Sequence, residues 1–241
     1  VYYKNSCHYM RLGEIRLKKV SKHMTKAGVI FDLDGVLIDS EGLYYRAYSE
    51  VLKPYGVIVT QREYEEEWIA KGTGPEYIVE KHSLPVDPNE LRKLRSPIFL
   101  NLLETEVTLM PHVEETLTRL SDYFELTVAT NSNRKHLDFV LNRFGITRFF
   151  PQTVAREDYD RAKPEPDAFL AAAQRLGLAR EHCVVIEDTY RGVTAAAKAG
   201  IACIAVPNEY TLHNDFSQAK LVLSDLGELT PEAVRSLLEG D

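Results

Sequence analysis

The chain has 241 residues and 44% hydrophobic content, enough for one large domain or for a core domain with a smaller insert. Its formal charge is −7, and because residues 1–23 hold six Lys/Arg against one acid, the remainder carries about −12, which excludes a basic nucleic-acid surface. No stretch approaches the length of an apolar membrane span and the first 23 residues lack the apolar core of a secretory signal, so a cytoplasmic protein is expected, with neither nucleic acid nor membrane as a partner.

Read from the start, His23 and Met24 stand just before the first credible strand. Met24 is therefore the expected natural start, with residues 1–23 an added leader. The first strand is expected in "AGVIF" (27–31), closing on "DLDGV" with Asp32 and Asp34 two apart. Side chains two apart on an extended segment point the same way, so both carboxylates enter one small volume. By itself this pattern also fits a strand-terminating turn.

Residues 41–108 then break the rhythm of an α/β chain, offering helices and no convincing buried strand. Tyr44, Tyr48, Val51, Leu52 and Tyr55 lie on one helical face, Tyr64 and Trp68 are spaced i, i+4, and "DPNELRKLRSPIFLNLLETE" continues helically with a bend expected at Pro97. After Pro111 the alternation resumes. Short Val/Ile-rich runs at 126–130, 183–188, 201–206 and 221–223 are separated by helical patterns, which is the signature of a parallel sheet covered on both faces. The expected fold class is α/β, a doubly wound parallel sheet with an inserted helical domain above the carboxyl end of the first strand.

Further chemistry sits at the later strand ends. Thr130 brings a hydroxyl, and Asn131 to Asn133 open a helix with free backbone amides, which suits a phosphate as well as a plain helix cap. Lys163 precedes two prolines, and Glu187 and Asp188 end a buried strand. Three cysteines without a C-x-x-C pair and seven scattered histidines offer no disulfide framework or soft-metal spacing, so no histidine is assigned a catalytic role.

In combination, "DLDGV", Thr130, Lys163 and "EDTYRGV" resemble the four motifs of the haloacid dehalogenase superfamily, in the branch with a helical cap after the first strand. The resemblance implies a Rossmann-like core over 24–40 and 109–241, with 41–108 as the cap, hinged near Ser40 and Pro111. It implies a Mg²⁺-dependent phosphatase acting on a small phosphorylated metabolite. Asp32 would be the nucleophile that forms an aspartyl phosphate, and Asp34 the general acid and then base. Mg²⁺ would be held by Asp32, the backbone carbonyl of Asp34 and Asp188, with Glu187 beside them or acting through water. Thr130, Asn131 and Lys163 would bind the transferring phosphoryl group, and Tyr44, Lys71, Gly72 and Thr73 would face substrate from the cap.

Asp34 and Asp188 speak against a metal-free dehalogenase. A phosphohexomutase of the β-phosphoglucomutase type is the alternative, disfavoured because Tyr44 and Pro75 stand where its cap histidine and arginine are expected. A non-catalytic binding protein on the same fold is the other alternative. A monomer is the default expectation.

Overall fold

The computed structural model describes residues 26–239, so the expected leader and Met24 lie outside the described residues. The chain starts with β1 (Gly28–Phe31) and β2 (Ile38–Asp39) and enters a helical run. That run comprises α1 (Glu41–Leu52), α2 (Gln61–Glu63) continued by a wide turn over Tyr64–Ile69, α3 (Pro75–His82) and α4 (Pro88–Glu106). It leaves through β3 (Thr108–Leu109), which pairs antiparallel with β2. The remainder alternates: α5 (Val113–Ser121), β4 (Glu125–Ala129), α6 (Arg134–Arg143), β5 (Thr153–Val154), α7 (Asp167–Leu176), β6 (Cys183–Glu187), α8 (Tyr190–Ala199), β7 (Ala202–Ala205), β8 (Leu221–Val222) and α9 (Pro231–Leu238).

Among the described residues six strands form one parallel sheet in the order β5-β4-β1-β6-β7-β8. The central strand β1 is buried on both faces. Val29 and Phe31 pack with α5, α6 and α9 through Leu117, Leu137 and Val234, while Ile30 packs with α7 and α8 through Phe169, Val193 and Ala196. Helices on both faces are what a continuous apolar strand demands, since neither face can meet water. The expected doubly wound α/β architecture is the observed one. Helix α8 sits close because its inward residues, Gly192, Ala195, Ala196 and Ala199, are small.

The helical run has a core of its own. Tyr48, Leu52, Trp68, Ile78 and Leu91 are buried together, joined by Tyr210 from the loop after β7. Trp68 meets Tyr48 edge-on at 4.8 Å and Tyr64 at 5.4 Å, which adds directional packing to the apolar burial. Local chemistry marks the ends of these helices: Thr60 accepts from Glu63 N, and Asp87 accepts from Asn89 N with Pro88 in the first turn. Helix α4 passes through Pro97 as a single element. Among the described residues no helix is long and apolar enough to cross a membrane.

Strands β2, β3 and β5 have no counterpart in the sequence reading. Each is two residues long, too short to carry a period, and each exists because a neighbouring strand supplies hydrogen bonds.

Asp158 secures the segment that leads from β5 toward Lys163. Its carboxylate accepts from Ala155 N at 2.8 Å and pairs with Arg175 of α7 at 2.7 Å and with Arg134 of α6. Burial opposes its charge, yet the hydrogen bonds from Arg175, Ala155 N and Arg134 hold its pKa down at about 2. A depressed folded-state pKa contributes stability above the unfolded value of roughly 4, and that stability is lost as pH falls toward the folded value. With solvent screening allowed for, the contribution is on the order of 1 kcal/mol. Asp158→Asn should therefore lower the denaturation midpoint at pH 7, and the gap to the wild type should narrow between pH 4 and pH 2.

Candidate active site

Three adjacent strands, β4, β1 and β6, end side by side at their carboxyl edges, and the residue after each carries chemistry. Thr130 follows β4 and its N–H donates to Val154 O at 3.0 Å; Asp32 follows β1 and its N–H donates to Ile186 O at 2.9 Å. Glu187 ends β6 and Asp188 follows. The sheet's hydrogen bonds continue through the first residues of the loops, so these side chains are fixed relative to one another.

Lys163 reaches this edge from the segment before α7. Its ammonium donates to Asp32 Oδ1 at 2.6 Å, Glu187 Oε1 at 2.9 Å and Ala129 O at 3.0 Å, using all three of its protons. The other oxygen of Glu187 accepts from Asp188 N, Thr189 N and the Thr189 hydroxyl. Gly192 leaves room for that carboxylate: a Cβ there would fall 1.7 Å from Glu187 Oε1. Gly35 has φ +79° and a Cβ there would fall 2.2 Å from Asp188 Oδ2, so both backbone conformation and space require glycine.

Asp34 is held separately. Its Oδ1 accepts from the Ser40 hydroxyl at 2.8 Å, and its Oδ2 accepts from the Ser132 hydroxyl at 2.6 Å and from Thr130 Oγ1 at 3.4 Å. Neutral hydroxyls surround one aspartate and an ammonium grips the other. The two members of the D-x-D pair thus occupy chemically different settings within one volume.

Burial dominates the electrostatics. It pushes the Asp32 pKa up to about 7, with Glu187 and Asp34 adding to the rise and Lys163 opposing it. Asp188 is pushed well up by burial and by the neighbouring Glu187 and Asp32 charges. Lys163 loses solvation too, but Asp32 and Glu187 more than compensate and its pKa is raised. Asp32, Glu187 and Asp188 bring one carboxylate oxygen each within 4.8 Å of one another, and Asp188 Oδ1 is buried with no hydrogen-bond partner among the described residues. Hard oxygen donors, crowded negative charge and an orphaned buried oxygen fit a divalent cation.

A cavity of about 320 Å³ opens over this cluster, a volume suited to a small metabolite. Asp32, Asp34, Thr130, Asn131 and Lys163 line its floor, and Tyr44, Tyr48, Trp68 and Arg95 line the helical side. Tyr44, expected to face substrate, is in the wall and stacks on Phe99 at 3.8 Å. Asn131 turns its Oδ1 to Lys163 N at 3.1 Å and to the Tyr159 hydroxyl at 2.7 Å.

Lys71, Gly72 and Thr73 do not line the cavity, against expectation; Gly74 and Pro75 do. Lys71 pairs with Glu67 on the surface at 2.7 Å, Thr73 donates to Glu67 O at 2.6 Å, and a Cβ on Gly72 would meet Arg191 at 3.1 Å. With φ of +65° and +61°, Gly72 and Gly74 turn this loop so that only its end points inward.

The sequence reading assigned no site role to several neighbours, among them Ser132, Ser40, His136 and Arg95. Ser132 and Ser40 are small hydroxyls in loops, with no period to mark them. His136, set aside with the other histidines, is buried in the first turn of α6 with Nε2 3.8 Å from Asp34 Oδ1. Its signal was its place just inside a helix capped by Asn133, close behind Thr130. Arg95 lies on α4, where a basic residue reads as solvated surface.

Comparison with known proteins agrees with this geometry. The chain is 31% identical over 186 residues to the fructose-1-phosphate phosphatase YqaB of Escherichia coli (strain K12), covering 75% of this chain and 96% of that protein. It is 27% identical over 239 residues to a phosphoglycolate phosphatase of Escherichia coli O157:H7, covering 88% and 94%. The crystal structure of CbbY from Rhodobacter sphaeroides in complex with phosphate superposes with a TM-score of 0.73 at 26% identity, covering 88% of this chain and 100% of that one. Residues 29–206 match the family described as haloacid dehalogenase-like hydrolase, and the chain belongs to that family, as a phosphomonoester hydrolase.

Proposed function

We propose that this hydrolase is a Mg²⁺-dependent phosphatase for a small phosphorylated metabolite and works through an aspartyl phosphate on Asp32. The observation that carries this reading is the contrast within the D-x-D pair. The Asp32 carboxylate is bonded to Lys163 Nζ at 2.6 Å beside Glu187 and Asp188, while the Asp34 carboxylate accepts from Ser40 and Ser132. An oxygen that attacks phosphorus needs its charge balanced; a group that gives and takes a proton needs neutral neighbours and access to the leaving oxygen.

In this reading Asp32, Asp188 and the backbone carbonyl of Asp34 hold the cation, with Glu187 beside it. The bound Mg²⁺ supplies positive charge against which the phosphoryl oxygens and Asp32 can approach. Thr130, Lys163 and the amides after Thr130 orient the phosphoryl group. Asp34 protonates the leaving alcohol and later takes a proton from water. Residues 41–108 act as a cap, and their aromatic wall excludes bulk water from the ester. Tyr44, packed against Phe99, stands where the mutase's cap histidine is expected, and the imidazole near Asp34 is instead that of His136 on α6, outside the helical run; the lack of a cap histidine favours net hydrolysis over isomerisation.

Arg95 is the part of the cap assigned here to the rest of the substrate. The other cap arginines each have a carboxylate partner: Arg46 with Glu106, Arg62 with Glu66 and Arg92 with Glu76. Arg95 has aromatic faces instead, 4.7 Å from the Tyr44 ring and 5.2 Å from that of Tyr48, and its buried Nε has no partner among the described residues. A half-buried guanidinium beside the cavity suits the oxygens of the leaving group.

Three outcomes test this. Turnover of p-nitrophenyl phosphate should vanish in excess EDTA and return with Mg²⁺; full activity in EDTA would defeat the metal reading. Asp32→Asn should abolish turnover, whereas Asp34→Asn should still show a burst of p-nitrophenol from slow phosphorylation of Asp32. With the best substrate from a phosphometabolite panel, Arg95→Met should raise KM about tenfold, near 1.4 kcal/mol, and should leave turnover of p-nitrophenyl phosphate close to wild type.

A further inference from the structure

The loop after β7 places Asn208 against the cation cluster. Its side-chain Nδ2 donates to Asp188 Oδ2 at 2.8 Å and to Gly35 O at 3.2 Å, and its Oδ1 accepts from Tyr210 N at 2.9 Å. Two donors meet two acceptors and the acceptor meets a donor, so the amide has one orientation that satisfies every contact. The loop holds it there: Asn208 N donates to the buried Thr211 hydroxyl at 2.9 Å, and Thr211 N donates back to Asn208 O at 3.0 Å.

The consequence falls on Asp188. With Oδ2 bonded to Asn208, rotation of the carboxylate is fixed, and the remaining oxygen, Oδ1, is the buried one with no partner among the described residues. The bond to Gly35 O also ties the segment after Asp34 to the end of β6. The spacing between the two sides of the carboxylate cluster is thereby set before any cation arrives.

We infer that Asn208 is a positioning residue of the cation centre: it orients Asp188 so that Oδ1 faces the divalent ion, and it holds the Asp34–Gly35 segment at the matching distance. The inference rests on the reading of Asp188 as a cation ligand. It is distinct from a loop-packing role, because Thr211 supports the loop without touching Asp188. Removing a partner that orients a metal-bound carboxylate commonly weakens metal affinity by about ten- to a hundredfold.

The test is direct titration of the metal-stripped protein with Mn²⁺ alone, by calorimetry, with thermal melts in EDTA as the fold control. Asn208→Ala should raise the Mn²⁺ Kd at least about tenfold, while Thr211→Val, which disturbs the loop and leaves the amide in place, should stay within about twofold of wild type. If Asn208→Ala does not fold in EDTA, Asn208→Ser, which keeps a turn-forming side chain too short to reach Asp188, carries the same expectation. Wild-type affinity in the Asn208 variants, or an equal loss in Thr211→Val, overturns the inference. Failure of the wild type to bind Mn²⁺ at all would instead remove the cation reading beneath it.

Discussion

The structure depends on one ammonium group. Lys163 sits, nearly inaccessible to solvent, between Asp32 and Glu187. Three carboxylates crowded at the end of a parallel sheet repel one another where water cannot screen them, and an unpaired charge buried there is costly. The lysine offsets part of that charge with its protons aimed at specific oxygens, which lets Asp32 stay close to Asp188. The rest of the fold serves this arrangement. Parallel pairing brings β1 and β6 to a common edge, Gly192 yields the space that Glu187 occupies, and Asn131 anchors the Lys163 backbone. Asp158 secures the approach to it.

Burial raises the pKa values of Asp32 and Asp188, and the neighbouring carboxylates, served by a single ammonium, add to the rise. A divalent ion bound among these oxygens would reverse that pressure, because its own charge would dominate the local field. The same imbalance accounts for the different treatment of Asp34. Hydroxyls stabilise it by hydrogen bonds without adding charge to a site whose charge is already allotted.

Much of this was legible in the sequence because parallel sheets make strand ends informative. A buried strand is a short apolar run, so a carboxylate, hydroxyl or lysine at its end is conspicuous; Asp32, Asp34, Thr130, Glu187 and Asp188 stand out on that basis. Lys163 became visible only together with them, having no strand of its own. The missed residues share a different origin. Asn208, Ser132 and Ser40 lie in loops whose course is set by long-range contacts, and Arg95 belongs to a helix whose polar residues elsewhere face water. Lys71 to Thr73 lie off the cavity lining for a related reason: composition marks a turn, but the course of the backbone through Gly72 and Gly74, both at positive φ, decides which of its residues reach the cavity.

The loop that carries Asn208 also reaches the helical run. Two residues on, Tyr210 lies edge-on to Tyr64 at 6.4 Å within the aromatic core of that run, and a Cβ on Gly42 would sit 3.0 Å from its hydroxyl. Tyr64 in turn donates its hydroxyl to Glu41, whose carboxyl is pushed up to about 7 by burial and the nearby Asp34 charge, with Tyr64 and Arg95 opposing the rise. A continuous set of contacts therefore runs from Asp188 through Asn208 and Tyr210 to the cavity wall facing Asp34. A displacement of the helices that unpacks Tyr210 must pull on the backbone N–H that fixes the Asn208 amide. In this fold the order of the carboxylate cluster and the seating of the helices above it are two readings of one loop.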